Sequence, residues 1–313
     1  MPGEILVIAN EEALEQVKAL FETTYTSKDS LLVLAEKAES GTIENDFSFW
    51  YARHKAYESN EKLSPLVVVY ETAGSCGDFS ADLDKAGVKP TRKGTLPLEV
   101  YTDVWAKPQT VVRVKGELNP GLVKALSDIF HTAEKKQGLT GNLAPNPYCD
   151  SVSRVIQGNY GFGLKFPPQM SLQFSNREVV WLWQQTNQFY RHVFINIFSD
   201  SLKLETREQA VANRNLFTIK YVTNDEKTKT VVSENSLFPL RWSGFDAKGV
   251  AVLRGWYTEE GTYRRGPFVR YIYHDKPNNR YVAVDGFVFA PDQSRLSYVR
   301  TLELIAESLQ FSR

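Results

Sequence analysis

The sequence predicts an α+β protein in two halves, each mixing β-strands with packed helices, and three observations lead there. A β-α pattern opens the chain, a strongly apolar-faced helix precedes a Gly, Asn and Pro-rich stretch from Gly138 to Tyr148, and a long alternating run closes on another amphipathic helix. Strand-period and helix-period segments grouped in this way pack as helices against antiparallel sheet. Pro145 and Pro147 block regular pairing, so the boundary is placed there, giving an N-terminal α+β half, residues 1–144, and a strand-rich C-terminal half, residues 145–313.

Glu4 to Ala9 reads as a buried strand. Asn10 then offers a helix N-cap, Glu11 and Glu12 suit the positive end of a helix dipole, and Leu14, Val17 and Phe21 share one face. A second helical pattern is expected after Asn45, where Phe47, Trp50, Tyr51, His54 and Tyr57 form an aromatic stripe for the core. Leu66 to Tyr70 is strand-like, and Gly74 to Thr95 reads as a long surface connection. Val111, Val112 and Val114 mark a strand. Asn119-Pro120 starts a helix that Gly138 should stop, with Leu122, Val123, Leu126, Ile129, Phe130 and Ala133 on its buried face.

In the second half, Val179 to Trp183 and His192 to Phe198 read as neighbouring strands rich in β-branched and aromatic residues. Thr206 and Gln209 fit a capping box, and Ala210, Val211, Arg214 and Phe217 continue at helical spacing. From Val231 to Ala290 the pattern alternates, with turn signals at Gly244, Gly261 and Pro277-Asn278-Asn279, as in an antiparallel meander. Asp292 is the expected cap of a closing helix whose face is Leu296, Val299, Leu302, Ile305, Ala306 and Leu309.

Composition narrows the function classes. The 313 residues carry 37 basic and 37 acidic side chains, so no global field draws in nucleic acid. No run reaches the roughly 20 apolar residues that a membrane helix needs. Cys76 and Cys149 stand far apart without a C-x-x-C partner, and a disulfide between them is neither required nor excluded by sequence. The four histidines, His54, His131, His192 and His274, lack metal-site spacing, so no metal and no cofactor is expected. Gly158 to Gly163 runs G-x-x-G-x-G before two prolines and reads as a turn, not a phosphate loop. His274-Asp275 places an imidazole and a carboxylate at a strand end, with no nucleophile beside them in sequence.

One cluster is unusual. Arg254-Gly255-Trp256 and the run from Arg264 to Arg270 interleave guanidinium groups with aromatics on adjacent strands. Guanidinium forks suit carboxylate, phosphate or sulfated sugar, and Trp256 or Tyr263 could stack on a sugar ring. Arg254, Trp256, Tyr263, Arg265, Arg270 and Asp275 are therefore the candidate ligand-binding residues. The same residue types also pair across sheets for stability alone.

Several short segments, in order, resemble a Bacteroidetes lipoprotein family catalogued as domain of unknown function 4837. They are Pro2 to Val7, Thr102 to Gln109, Arg254-Gly255-Trp256, Gly266 to Val269 and Val284 to Pro291. The chain departs from the family pattern at Thr102, where Arg is usual, at Arg265, where Gly is usual, and at Asn215, where Asp follows Arg. The resemblance implies a lipobox cysteine upstream of Met1, hence a mature envelope protein tethered by lipid and facing the periplasm or the exterior. It brings no catalytic residues, and it implies that Asp103, Trp105, Pro108 and Gln109 fix a turn into Val111.

The leading expectation is a non-enzymatic envelope module that binds another envelope protein or an anionic or glycan ligand. The alternative is a hydrolase of glycan or peptidoglycan using carboxylates such as Asp275 and Asp285 brought together by the fold, for which a separation of about 5 to 9 Å would be needed. A homodimeric scaffold, marked by a large apolar patch, is the third.

Overall fold

The computed structural model describes residues 4–9, 48–53, 66–71, 85–93, 97–115, 120–140, 143, 146–222, 229–233, 240–291 and 295–312. They divide into two compact units between Gly141 and Asn142. The architecture is α+β, with a large antiparallel sheet and a late helix in the C-terminal part. Among the described residues no helix is long and apolar enough to cross a membrane.

The first unit is built on a six-stranded mixed sheet of order β2-β1-β3-β6-β5-β4. Its strands are β1 (Glu4–Ala9), β2 (Ser48–Arg53), β3 (Leu66–Glu71), β4 (Arg92–Lys93), β5 (Leu98–Thr102) and β6 (Thr110–Lys115). Strands β2, β1, β3 and β6 run parallel, while β5 and β4 turn antiparallel. Val67, Val68 and Val69 of β3 are all fully buried, the continuous apolar run expected of a parallel strand covered on both faces. Helix α1 (Pro120–Thr140) buries Leu122, Leu126, Ile129, Phe130 and Ala133.

The aromatic stripe after Asn45 corrects one expectation: Ser48–Arg53 is a strand, paired residue for residue with β1. Six residues rich in Phe, Trp and Tyr satisfy a strand as well as a helix turn, and the long-range parallel partner decides. Helix α1 also runs two residues beyond Gly138, a glycine being costly inside a helix without forbidding it. The helix expected after Asn10, together with His54, Tyr57 and Cys76, lies outside the described residues.

The turn into β6 forms as a reciprocal loop. Gln109, 1% exposed, donates its backbone N–H to the Asp103 carboxylate (3.0 Å) and accepts the Trp105 N–H on its side-chain oxygen (2.9 Å). The Asp103 N–H returns to the Gln109 carbonyl at 2.9 Å. Asp103 sits at φ 55°, a left-handed position that Asp tolerates better than most residues.

The second unit opens with helix α2 (Pro147–Tyr160), which stands where the sequence reads as a linker and a glycine turn. Asn146 caps it by accepting the Tyr148 N–H at 3.0 Å, Pro147 fills the first turn, and Gly161 at φ 71° ends it. The residues that argue against regular structure are thus the two ends of a helix.

Then follow β7 (Phe162–Gly163), β8 (Ser171–Ser175), β9 (Val179–Gln185), β10 (Tyr190–Ser199), helix α3 (Arg207–Tyr221), β11 (Thr230–Ser233), β12 (Arg241–Trp242), β13 (Val250–Glu259), β14 (Arg265–Asp275), β15 (Arg280–Phe289), helix α4 (Leu296–Glu307) and β16 (Gln310–Phe311). The main sheet has the order β11-β13-β14-β15-β10-β9-β8, all antiparallel, with β12 on β13 and β16 paired to β7.

Alternation gives this sheet two covered faces. One carries Phe194, Phe198, Leu253, Phe268, Ile272, Ala283 and Phe287 and packs on Ala210, Val211 and Phe217 of α3. The capping box is present: Thr206 Oγ1 accepts the Gln209 N–H while the Gln209 side chain takes the Thr206 N–H. The other face carries α4, whose Leu302 lies directly over Gly286. At the cap position of α4 stands Arg295, without a side-chain cap bond; Asp292 lies outside the described residues.

Candidate functional site

The α3 face holds a buried ionic cluster. Arg214 and Asp285 are fully buried, with Nε 2.7 Å from Oδ2, and Arg270 Nη1 reaches the same oxygen at 3.2 Å. Arg270 also donates to Asn196 (2.9 Å) and Asn213 (2.6 Å), while the Arg214 guanidinium lies 4.0 Å from the centre of the Phe268 ring. Cross-strand register puts Arg270 opposite Asp285, and α3 brings Arg214 down onto both.

On the α4 face, Arg254 is held by Glu303 at 2.9 Å, with Arg300 on the other carboxylate oxygen at 2.8 Å. Burial would raise the Glu303 pKa, but Arg300 and Arg254 offset it and hold the carboxyl below its ordinary value. Trp256 is 1% exposed under the Arg295 guanidinium. Asp275, 4% exposed, accepts from Arg280 at 2.8 Å and Asn278 at 2.9 Å. His274 meets Asp200 at 3.4 Å, not its sequence neighbour.

The six candidate residues therefore do not form one site. Arg270 is sealed in the core and Trp256 is covered, both using their chemistry inside the fold. Asp275 stands at the far end of β14, five ladder positions from Arg270 and so from its partner Asp285. That is about 17 Å along the strand, and the odd offset puts the two carboxylates on opposite faces. The acid pair of a glycosidase is not assembled from them.

Tyr263 and Arg265 are the two that share an exposed place, the β13–β14 hairpin tip, where Gly261 at φ 77° makes the turn and Tyr263 is 79% exposed. Around that tip the sheet end gathers residues that sequence reasoning missed. Tyr263 lies 5.8 Å from Phe289, Phe289 lies 6.1 Å from Tyr190, and the Arg264 guanidinium sits 5.5 Å from the Tyr190 ring centre. Next on β10, Arg191 lies 5.7 Å from the Phe189 ring, which meets Tyr298 of α4 at 4.5 Å with the two rings tilted. The available signal was Phe189-Tyr190-Arg191 opening a strand: aromatic and Arg together where a strand leaves its turn.

Arginines and acids meet at this end. Arg264 has Glu259 at 3.7 Å, whereas Arg191 donates, among the described residues, only to the Gln184 side-chain carbonyl. Burial lowers the Arg191 pKa to about 10, still leaving it cationic at neutral pH. On the face that Tyr190 and Phe289 share, opposite to Arg191, His192 stacks on Phe287 at 4.6 Å and accepts the Trp181 indole N–H at 3.2 Å. Burial, then the Arg264 charge, push its imidazole down to about 3.

A separate cavity of about 260 Å³ opens between α2, residues 163–166 and the chain end, lined by Cys149, Asp150, Lys165, Phe166, Ser308 and Phe311 among others. Its serines are committed to the surrounding backbone: Ser153 donates to the Leu164 carbonyl at 2.9 Å and Ser308 accepts the Lys165 N–H at 2.8 Å. Cys149 is a buried free thiol, pushed up in pKa by burial and by Asp150. The cavity contains none of the aromatic and guanidinium groups of the sheet end.

Residues 150–308 match the model of a family described as Domain of unknown function (DUF4837). Among solved structures, the Saccharomyces cerevisiae Ran-binding protein Mog1p is 6% identical, with 48% of this chain and 90% of that chain covered and a TM-score of 0.35. A mutant of protein Mog1 is 7% identical with the same coverage and a TM-score of 0.34. Likenesses of that size carry no argument. No curated protein matches the chain.

Proposed function

The chain belongs to the DUF4837 family, and on that premise we propose that it is a non-enzymatic binding module of the cell envelope whose sheet end takes an acidic glycan. The observation that carries this reading is the gathering, at one end of the sheet, of the exposed Tyr263 ring, the half-buried Tyr190 ring and the Arg264 guanidinium around the buried Phe289. Aromatic faces stack on the apolar faces of sugar rings, and guanidinium forks pair with the carboxylate or phosphate that makes a glycan acidic. Tyr263 is the anchor, being a large ring already standing in solvent on a stiff hairpin.

The envelope placement is supported by the motif resemblance at Thr102 to Gln109, Gly266 to Val269 and Val284 to Pro291, which is to lipoproteins of the Bacteroidetes. In that setting the module faces envelope polysaccharide while a lipid holds it at the membrane. The reading leaves Arg254 at the margin, since its fork is occupied by Glu303.

A glycan array probed with the full chain tests the proposal. Retention on uronic-acid or phosphorylated glycans over neutral ones, lost in Tyr263→Ala, supports it. Retention that ignores glycan charge, or that survives Tyr263→Ala and Arg264→Ala together, contradicts it.

A further inference from the structure

We infer that Arg191 and the first turn of α4 form, on the α4 face of the sheet end, an oxyanion site for a further carboxylate or phosphate of the acidic glycan whose stacking rings lie on the α3 face, an inference that rests on the reading above. Arg191 points to the α4 face of β10 and is 6% exposed. Its Nη2 donates to the neutral Gln184 carbonyl, and its Nε has no partner. Among the described residues no carboxylate pairs with it. Arg214 and Arg270 share Asp285, and Arg254 has Glu303, so the fold supplies a counter-charge to these other arginines and not to this one. A buried guanidinium facing a neutral amide is a costly arrangement that an anion would relieve.

The helix gives an independent second half. Helix α4 is twelve residues long, has no side-chain bond at its cap position and no acidic residue in its first turn. Its leading N–H groups and the positive end of its dipole favour an anion. Tyr298, in that turn, packs tilted against the same Phe189 ring that Arg191 approaches. Guanidinium and helix start thereby meet the same ring. The half-buried Gln184 side chain occupies the place an anionic oxygen would take on Nη2, so an anion would displace this amide.

The test is a titration of the full chain with sodium acetate and, separately, inorganic phosphate at constant ionic strength, following arginine Nε–H resonances by NMR. The Arg191 signal is identified by its loss in Arg191→Lys. We expect a saturating shift of that signal with at least one anion, and, followed in both proteins by the backbone amide resonances of Ser297 and Tyr298, affinity at least tenfold weaker in Arg191→Lys, which keeps the charge and loses the fork. Saturation by phosphate alone points to a phosphorylated sugar, and by acetate alone to a carboxylated one. A drift shared with Arg254 and never saturating overturns the inference, and needs no variant to fold. If acidic glycans bind but neither anion saturates Arg191, the site fails and the binding reading stands. If an anion saturates Arg191 and no acidic glycan binds, the reading fails and the site stands.

Discussion

Arg214 of α3 and Asp285 of β15 meet at 2.7 Å with both side chains wholly out of solvent, and the same carboxylate also serves Arg270. One acid thus balances two buried bases. Asp285→Asn leaves two guanidiniums without a countercharge, and it should cost about 3 to 5 kcal/mol in urea unfolding. Glu178→Gln, which breaks the exposed pair with Lys220 at 2.8 Å, should leave the urea midpoint nearly unchanged. Equal losses from the two would refute the central role given to Asp285.

Three of the segments that carry the family resemblance each hold a glycine with no space for a side chain. A Cβ on Gly255 would lie 2.6 Å from Phe268, one on Gly286 2.7 Å from Leu302 Cβ, and one on Gly266 would run into the Val288 carbonyl. Gly286→Ala should therefore push α4 off the sheet and lose about 1 to 3 kcal/mol. Gly158→Ala, in α2 with nothing within 4 Å, should instead gain up to about 1 kcal/mol. Thermal unfolding of both variants reads the sign of each directly.

His192 sets an acid limit on stability. Its folded pKa is depressed to about 3, below the unfolded value, so between the two the unfolded chain binds a proton that the native chain refuses. Stability should fall as pH drops below about 6.5, by up to about 1.4 kcal/mol per unit from this group. His192→Gln, which keeps an acceptor for the Trp181 N–H, should flatten the difference in urea midpoint between about pH 7 and pH 5. An unchanged slope in that variant would remove His192 as the cause.

Much of the fold was readable because its signals are local. Thr206 with Gln209 announces α3, and the alternation from Val231 onward announces β13 to β15. What failed depended on distant partners or on punctuation read with the wrong sign. Strand β2 looks helical until β1 pairs with it, and Asn146-Pro147 and Gly161 are the start and stop of α2. The candidate site divided for the same reason. Arg270 is polar in sequence, but register delivers Asp285 opposite it and turns a surface-like arginine into core. Tyr263 and Arg265 stand together because a hairpin tip is a local feature, while Arg191 and Phe289 reach that end through pairing of β10 with β15.

The most direct measurement of the central claim is calorimetric titration of the full chain with an acidic oligosaccharide retained on the array, beside the same oligosaccharide with its charged group reduced or removed. The account predicts binding at least tenfold weaker for the neutral form and a marked loss with Tyr263→Ala, both on a folded protein. Equal affinity for the two sugars, or full affinity in Tyr263→Ala, would contradict an acidic-glycan site at the hairpin end of the sheet.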